Sequence, residues 1–153
     1  MWWRRIRYVL TLLSLCAIAT CPSAHRSCRA KVRAREAAEL LDVLSAELRR
    51  VVASSSLPTH AAAPTPPVTR CCEQGGRCAP DATLWQVEPW RTLRFSLDEP
   101  HRYSVEYVPT PNGALIRLLG DVDCDGVLSR YELRATVAGT SVTLERSAVL
   151  PLE

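Results

Sequence analysis

The sequence predicts an α+β fold: a long N-terminal helix packed on a small antiparallel β-sheet, with a short acidic loop between two of the strands. Three observations predict it. Apolar residues recur at helical spacing over residues 36–52. Beyond Cys71, short runs alternate apolar and polar between proline and glycine turns. Between two of these runs lie the twelve residues Asp121–Glu132, dense in carboxylates at regular intervals.

The helix is the clearest element. Ala37, Leu40, Leu41, Leu44, Leu48, Val51 and Val52 share one face, as a period of 3.6 requires. Glu36, Glu39, Asp42, Glu47, Arg49 and Arg50 occupy the rest. Acid precedes base, which suits the helix dipole. Alanine, arginine and lysine upstream favour helix and Pro22 suits a first turn, so the element is expected to run over residues 22–53. One sheet needs a cover, and this helix supplies it.

Residues 54–70 read as a linker rich in serine, alanine and proline, with Pro58, Pro64, Pro66 and Pro67. Such a stretch is extended and stiff, and is expected to build no core. A β domain is expected over residues 71–153. Thr92–Leu97 alternates, with Leu93, Phe95 and Leu97 on one face, and Asp98–Pro100 reads as a hairpin turn. Arg102–Val108 alternates with Tyr103, Val105 and Tyr107 inward. Pro109–Gly113 is a second turn, Ala114–Leu119 a third strand, and Leu133–Ala138 and Ser141–Arg146 follow the acidic loop. Four or five strands result, with Trp85 and Trp90 in the core.

The acidic loop fits the pattern D-x-[DN]-x-[DN]-G-x5-E at every position. Asp121, Asp123 and Asp125 place hard oxygens at positions 1, 3 and 5, and Gly126 allows the sharp turn. Val127 offers a backbone carbonyl, Ser129 a hydroxyl or a bridging water, and Glu132 two closing oxygens. Calcium takes about six to eight oxygens, so one short loop of this spacing suits Ca2+. The flanking segments hold β-branched residues and read as strands. The expectation is an EF-hand-like loop between β elements, with calcium in a structural role.

Seven cysteines point to an oxidising compartment. Cys71, Cys72, Cys78 and Cys124 lie in the β domain, which suggests two disulfides. Adjacent Cys71 and Cys72 do not readily pair with each other, so one is expected to join Cys78 and the other Cys124. Zinc competes poorly. The spacing lacks paired C-x2-C knuckles, and His101 stands isolated in the chain.

Export agrees with the N-terminus. Residues 8–20 carry no charge and follow Arg4, Arg5 and Arg7. This run is short for a spanning helix but suits the apolar part of a signal peptide, with Ala17–Ala19 as a small-x-small cleavage site. Residues 18–21 resemble a lipobox ending at Cys21, and Trp2 and Trp3 suit a membrane interface. Residues 1–21 are therefore expected to export or anchor the chain, facing the periplasm or the exterior. Residues 1–35 hold eight basic groups and no acid. Their place beside the apolar run favours membrane topology over nucleic acid as the reason.

Nothing in the sequence suggests catalysis. His25 lies in the basic stretch, His60 in the linker, and His101 beside Asp98 and Glu99 in a turn. No nucleophile motif and no phosphate loop occurs.

The pair Cys71-Cys72, then Trp85, Trp90, Leu93 and Phe95, then Tyr103 and Tyr107, then Gly120–Gly126, form an ordered series. With the basic-to-acidic stretch Arg29–Glu39, this series resembles the type IV pilin-like and pseudopilin-like proteins of the myxobacterial kind. The likeness covers residues 71 to about 135. It implies a pilin-like domain on an N-terminal helix, a non-enzymatic envelope role, and pilus or secretion-system subunits as partners. The N-terminus departs from a prepilin: Tyr8 follows no glycine, and no acid precedes Glu36. A secreted or lipid-anchored calcium-binding adhesion module is the competing reading, marked by a mature start at Thr20 or a lipid on Cys21.

Overall fold

The structure, a computed structural model, describes residues 31–149. All contacts given below lie within the unit Ala34–Glu153. The expectations for residues 1–21, and for the helix before residue 31, lie outside the described residues. Among the described residues, no helix is long and apolar enough to cross a membrane.

Helix α1 covers residues 31–54. Its buried stripe is Ala37, Leu41, Leu44, Leu48 and Val51, all in the main core. Ser45 interrupts that stripe without an unpaired hydroxyl, because its Oγ donates to the Leu41 carbonyl 2.5 Å away. The helix is α on β as expected, and it covers one face of a five-stranded sheet.

The sheet is a meander in the order β1-β2-β3-β4-β5, antiparallel throughout. Its strands are β1 (Ala62–Thr65), β2 (Ser104–Thr110), β3 (Gly113–Gly120), β4 (Ser129–Ala138) and β5 (Ser141–Val149). Register follows burial. Tyr107 faces Ile116, Ile116 faces Leu133, and Leu133 faces Arg146, so these four share the helix side. Val105, Leu118 and Tyr131 form the next row. A one-residue slip would turn each row to solvent, so the apolar pattern holds the register.

The opposite face carries charge. Glu106 stands across from Arg117, and Arg117 across from Glu132. Arg117 Nη1 lies 2.9 Å from Glu106 Oε2, and its Nε lies 3.3 Å from Glu132 Oε1. Opposite charges paired across strands contribute about 0.2–1 kcal/mol each. At the far edge, Arg146 of β5 reaches the helix, with Nη1 2.8 Å from Asp42 Oδ1 and Nη2 2.8 Å from Ser45 Oγ.

Two expectations need correction. Residues 54–70 are more than a linker. Ala62–Thr65 forms β1 and pairs with β2, Pro66 is fully buried, and Leu57 packs on the core. The Tyr107 hydroxyl donates to the Pro58 carbonyl at 2.8 Å. Proline suits an edge strand, which needs few ladder donors, so composition did not forbid this.

Thr92–Leu97 is not a strand, and Asp98–Pro100 does not join two strands. Trp90–Leu93 forms a short helix, α3 (α2 being Arg70–Glu73), and Arg94 ends it in the left-handed region at φ 49°. Leu93, Phe95 and Leu97 are buried nonetheless. They are held by an aromatic cluster rather than a ladder: Trp85 lies 5.4 Å from Trp90 and 5.3 Å from Phe95, ring centre to ring centre. Trp90 meets Tyr107 edge-on at 6.4 Å, which joins this cluster to the sheet.

Candidate functional site

The acidic loop leaves β3 at Gly120 and enters β4 at Ser129. Asp121 organises it. Its Oδ1 accepts from the Asp125 N–H at 3.0 Å, and its Oδ2 from the Gly126 N–H at 3.0 Å. Asp125 Oδ1 accepts from the Val127 N–H at 2.8 Å. Two left-handed residues, Cys124 at φ 64° and Gly126 at φ 93°, bring those N–H groups round to the carboxylate. Glycine adopts this conformation freely, whereas for cysteine it costs about 1–2 kcal/mol.

A disulfide holds Cys124 in that position. Cys72 is joined to Cys124 across 52 residues, and Cys71 to Cys78 across 7. The first bridge ties the loop to helix α2 (Arg70–Glu73). Cys72 Sγ sits 3.2 Å from the Asp121 carbonyl oxygen, in a half-buried contact.

The side-chain oxygens of Asp121, Asp123 and Asp125 lie within 4.8 Å of one another. The Asp121 side is half-buried, and Asp123 and Asp125 are exposed. Three clustered carboxylates fit a hard divalent cation such as calcium, which prefers charged oxygen ligands. Asp123 takes no part in the loop's own hydrogen bonds, so its carboxylate is the freest of the three.

Of the later residues of the motif, Glu132 and Ser129 stand in β4, apart from the three aspartates. Glu132 is not in the aspartate group. It lies within β4 on the charged face, with Oε1 3.3 Å from Arg117 Nε and 3.4 Å from Arg130 Nε. The β3–β4 register places it opposite Arg117, and two guanidiniums satisfy its charge. Ser129 is fully buried at the first position of β4. Val127 remains in the loop, 39% exposed. In a helical EF-hand the last acidic ligand folds back over the ion. Here the chain after Leu128 is a strand, and alternation commits residue 132 to the sheet.

A second group includes Cys71 of helix α2. Cys71, Cys78 and His101 are all buried, and their ligand atoms fall within 4.8 Å of one another. His101 and Cys78 exchange backbone hydrogen bonds, 2.7 Å from Cys78 N to His101 O and 3.2 Å in return. Cys71 Sγ lies 3.6 Å from the His101 carbonyl oxygen. His101 Nδ1 lies 3.0 Å from the Glu99 carbonyl, while Nε2 has no hydrogen-bond partner among the described residues. Burial lowers the imidazole pKa below its ordinary value, against weaker raising effects of the Glu99 carbonyl and the Glu36 charge. Sequence reading missed this group. Cys78 and His101 are joined by an isolated bridge with no local motif to announce it.

A cleft of about 520 Å3 opens at the other end of β3, between residues 52–59 and the β2–β3 turn at Pro111 and Asn112. No charged or titratable side chain lines it.

No protein-family description, no curated protein and no solved structure matches this chain.

Proposed function

We propose that the chain is a non-enzymatic, exported cell-envelope protein whose pilin-like domain is steadied by a calcium ion at Asp121, Asp123 and Asp125. One observation carries the ion: three carboxylates converge on a loop that a disulfide anchors at Cys124. Clustered carboxylates repel one another, and a divalent cation relieves that repulsion. Glu132 is left out of the proposed ligand set, because Arg117 and Arg130 already engage it.

Support for export is the pair of disulfides, which persist in oxidising compartments. Support for a pilin-like role is the layout of one long helix over an antiparallel meander, together with the ordered series of residues described above. In this reading the N-terminal segment holds the chain at the membrane, and the helix meets pilus or secretion-system subunits.

Thermal unfolding in calcium and in chelator tests the ion. Calcium raises Tm if it binds the native state alone, and the rise grows with concentration. Identical melting curves in calcium and in chelator would sink the calcium assignment. Recovery of the protein from envelope fractions, with its N-terminus sequenced, tests the rest. Association with pilus or secretion components supports the pilin-like role, and a freely secreted monomer starting at Thr20 refutes it.

A further inference from the structure

We propose that Cys71, Cys78 and His101 form a second, redox-gated metal site, which takes a thiophilic cation such as zinc when the Cys71–Cys78 disulfide is reduced. The site is independent of the aspartate loop and of the calcium reading.

Geometry is the first ground. The three ligand atoms already lie within 4.8 Å of one another. Zinc bonds of about 2.3 Å to sulfur and 2.0–2.1 Å to nitrogen space tetrahedral ligands roughly 3.3–3.8 Å apart. Two sulfurs freed from their bond therefore need only a small separation to embrace an ion.

The second ground is the imidazole. A carbonyl oxygen only accepts, so the contact with Glu99 places the proton on Nδ1. Nε2 then carries the lone pair. His101 is only 5% exposed, and Nε2 has no partner among the described residues. A buried nitrogen acceptor left unsatisfied is costly. Metal-binding histidines typically show this arrangement, with the second ring nitrogen donating to a carbonyl that fixes the tautomer. Burial of all three side chains also favours soft ligands for a soft cation over water.

The redox step balances with a dithiol as reductant. The dithiol gives two electrons and two protons and becomes a disulfide. The Cys71–Cys78 sulfur bond breaks and two thiols form. On binding a divalent ion, both thiol protons pass to solvent, and Cys71 and Cys78 ligate as thiolates beside neutral His101. The oxidised chain has no thiolate to offer there, so the same three residues alternate between a covalent staple and a metal clip.

Cobalt(II) is the probe, because its thiolate charge-transfer absorption reports sulfur ligation and oxygen ligands give none. The full chain carries Cys16→Ser, Cys21→Ser, Cys28→Ser, Cys72→Ser and Cys124→Ser, so that only Cys71 and Cys78 remain. After reduction with a small dithiol and its anaerobic removal, one cobalt per chain is expected to bind with this absorption, and zinc to displace it. Oxidised chain shows no such band. Cys78→Ser lowers the band by at least about half, since one of two thiolates is lost, and His101→Ala weakens zinc binding by at least about tenfold. If the multiple variant fails to fold, the wild-type chain serves, read as the difference caused by Cys78→Ser and by His101→Ala. The proposal is overturned by a reduced chain without the band, by a band that Cys78→Ser leaves undiminished, or by zinc affinity indifferent to His101→Ala. A reduced chain that unfolds and recovers no structure with zinc overturns it equally.

Discussion

The Glu36 carboxylate takes both the backbone N–H of Arg102 and its guanidinium, joining the helix to the approach of strand β2 across 66 residues. Arg77, on the disulfide-closed segment, lies 3.6 Å from the same carboxylate. Three chain segments thus share one acid, whose side chain is only 18% exposed. Glu36→Ala removes the acceptor of a charge-assisted pair and of a backbone donor at once. It is expected to cost about 1–3 kcal/mol. Urea unfolding of Glu36→Ala, Arg102→Ala and the double variant measures it. Strict additivity would show that the two residues do not interact.

Asp121 and Asp123 are expected to behave differently when removed, although both belong to the same acidic group. Asp121 holds two backbone N–H groups of its own loop, so Asp121→Ala destabilises the protein by about 1 kcal/mol even in chelator. Asp123 has no such duty, so Asp123→Ala removes the calcium-dependent part of stability and leaves the calcium-free melting curve in place. Equal losses in chelator for the two variants would contradict this division.

Gly120 closes β3 against the start of β2. A Cβ there would stand 2.8 Å from Tyr103 Cδ1 and 2.9 Å from the Arg102 carbonyl oxygen. Tyr103 is fully buried and meets Tyr131 edge-on at 5.9 Å, so it has little room to yield. Gly120→Ala is expected to cost about 1–3 kcal/mol by overpacking, without touching a carboxylate. Chemical unfolding measures the cost, and a variant as stable as the parent would show that the Tyr103 ring gives way freely.

Tyrosine ionisation sets an alkaline limit. Burial raises the phenol pKa of Tyr103, Tyr107 and Tyr131 above the ordinary 10.0, and for Tyr103 the neighbouring Tyr131 adds to it. The folded state keeps protons that the unfolded chain releases near pH 10. This contribution to stability is therefore fully present below pH 10 and declines as pH rises above it. In a Tyr8→Phe chain, phenolate absorbance is expected to appear late and together with the loss of near-ultraviolet circular dichroism. Ionisation of all three near pH 10 with that signal intact would refute the expectation.

Much of the fold was legible in the sequence because its signals are local. The stripe from Ala37 to Val51 declares a helix, and the alternation through Tyr103, Val105 and Tyr107 declares an inward strand face. Asp121, Asp123, Asp125 and Gly126 declare a tight acidic turn. Adjacent Cys71 and Cys72 narrow the pairings, and the structure joins Cys71 to Cys78 and Cys72 to Cys124. Each inference needs only the periodicity or steric limits of neighbouring residues.

What the tertiary structure decided depends on register and long-range packing. Glu132 reads as a ligand along the chain, yet the β3–β4 register sets it opposite Arg117 on the charged face. Leu93, Phe95 and Leu97 read as one strand, yet Trp85 and Trp90 draw the segment into a compact aromatic cluster. His101 reads as isolated, yet its backbone bridge to Cys78 brings it to two buried sulfurs. The physical reason is common to all three. Local sequence sets which backbone shapes are cheap, whereas the partner a side chain meets is chosen by the burial and charge pairing of the sheet as a whole.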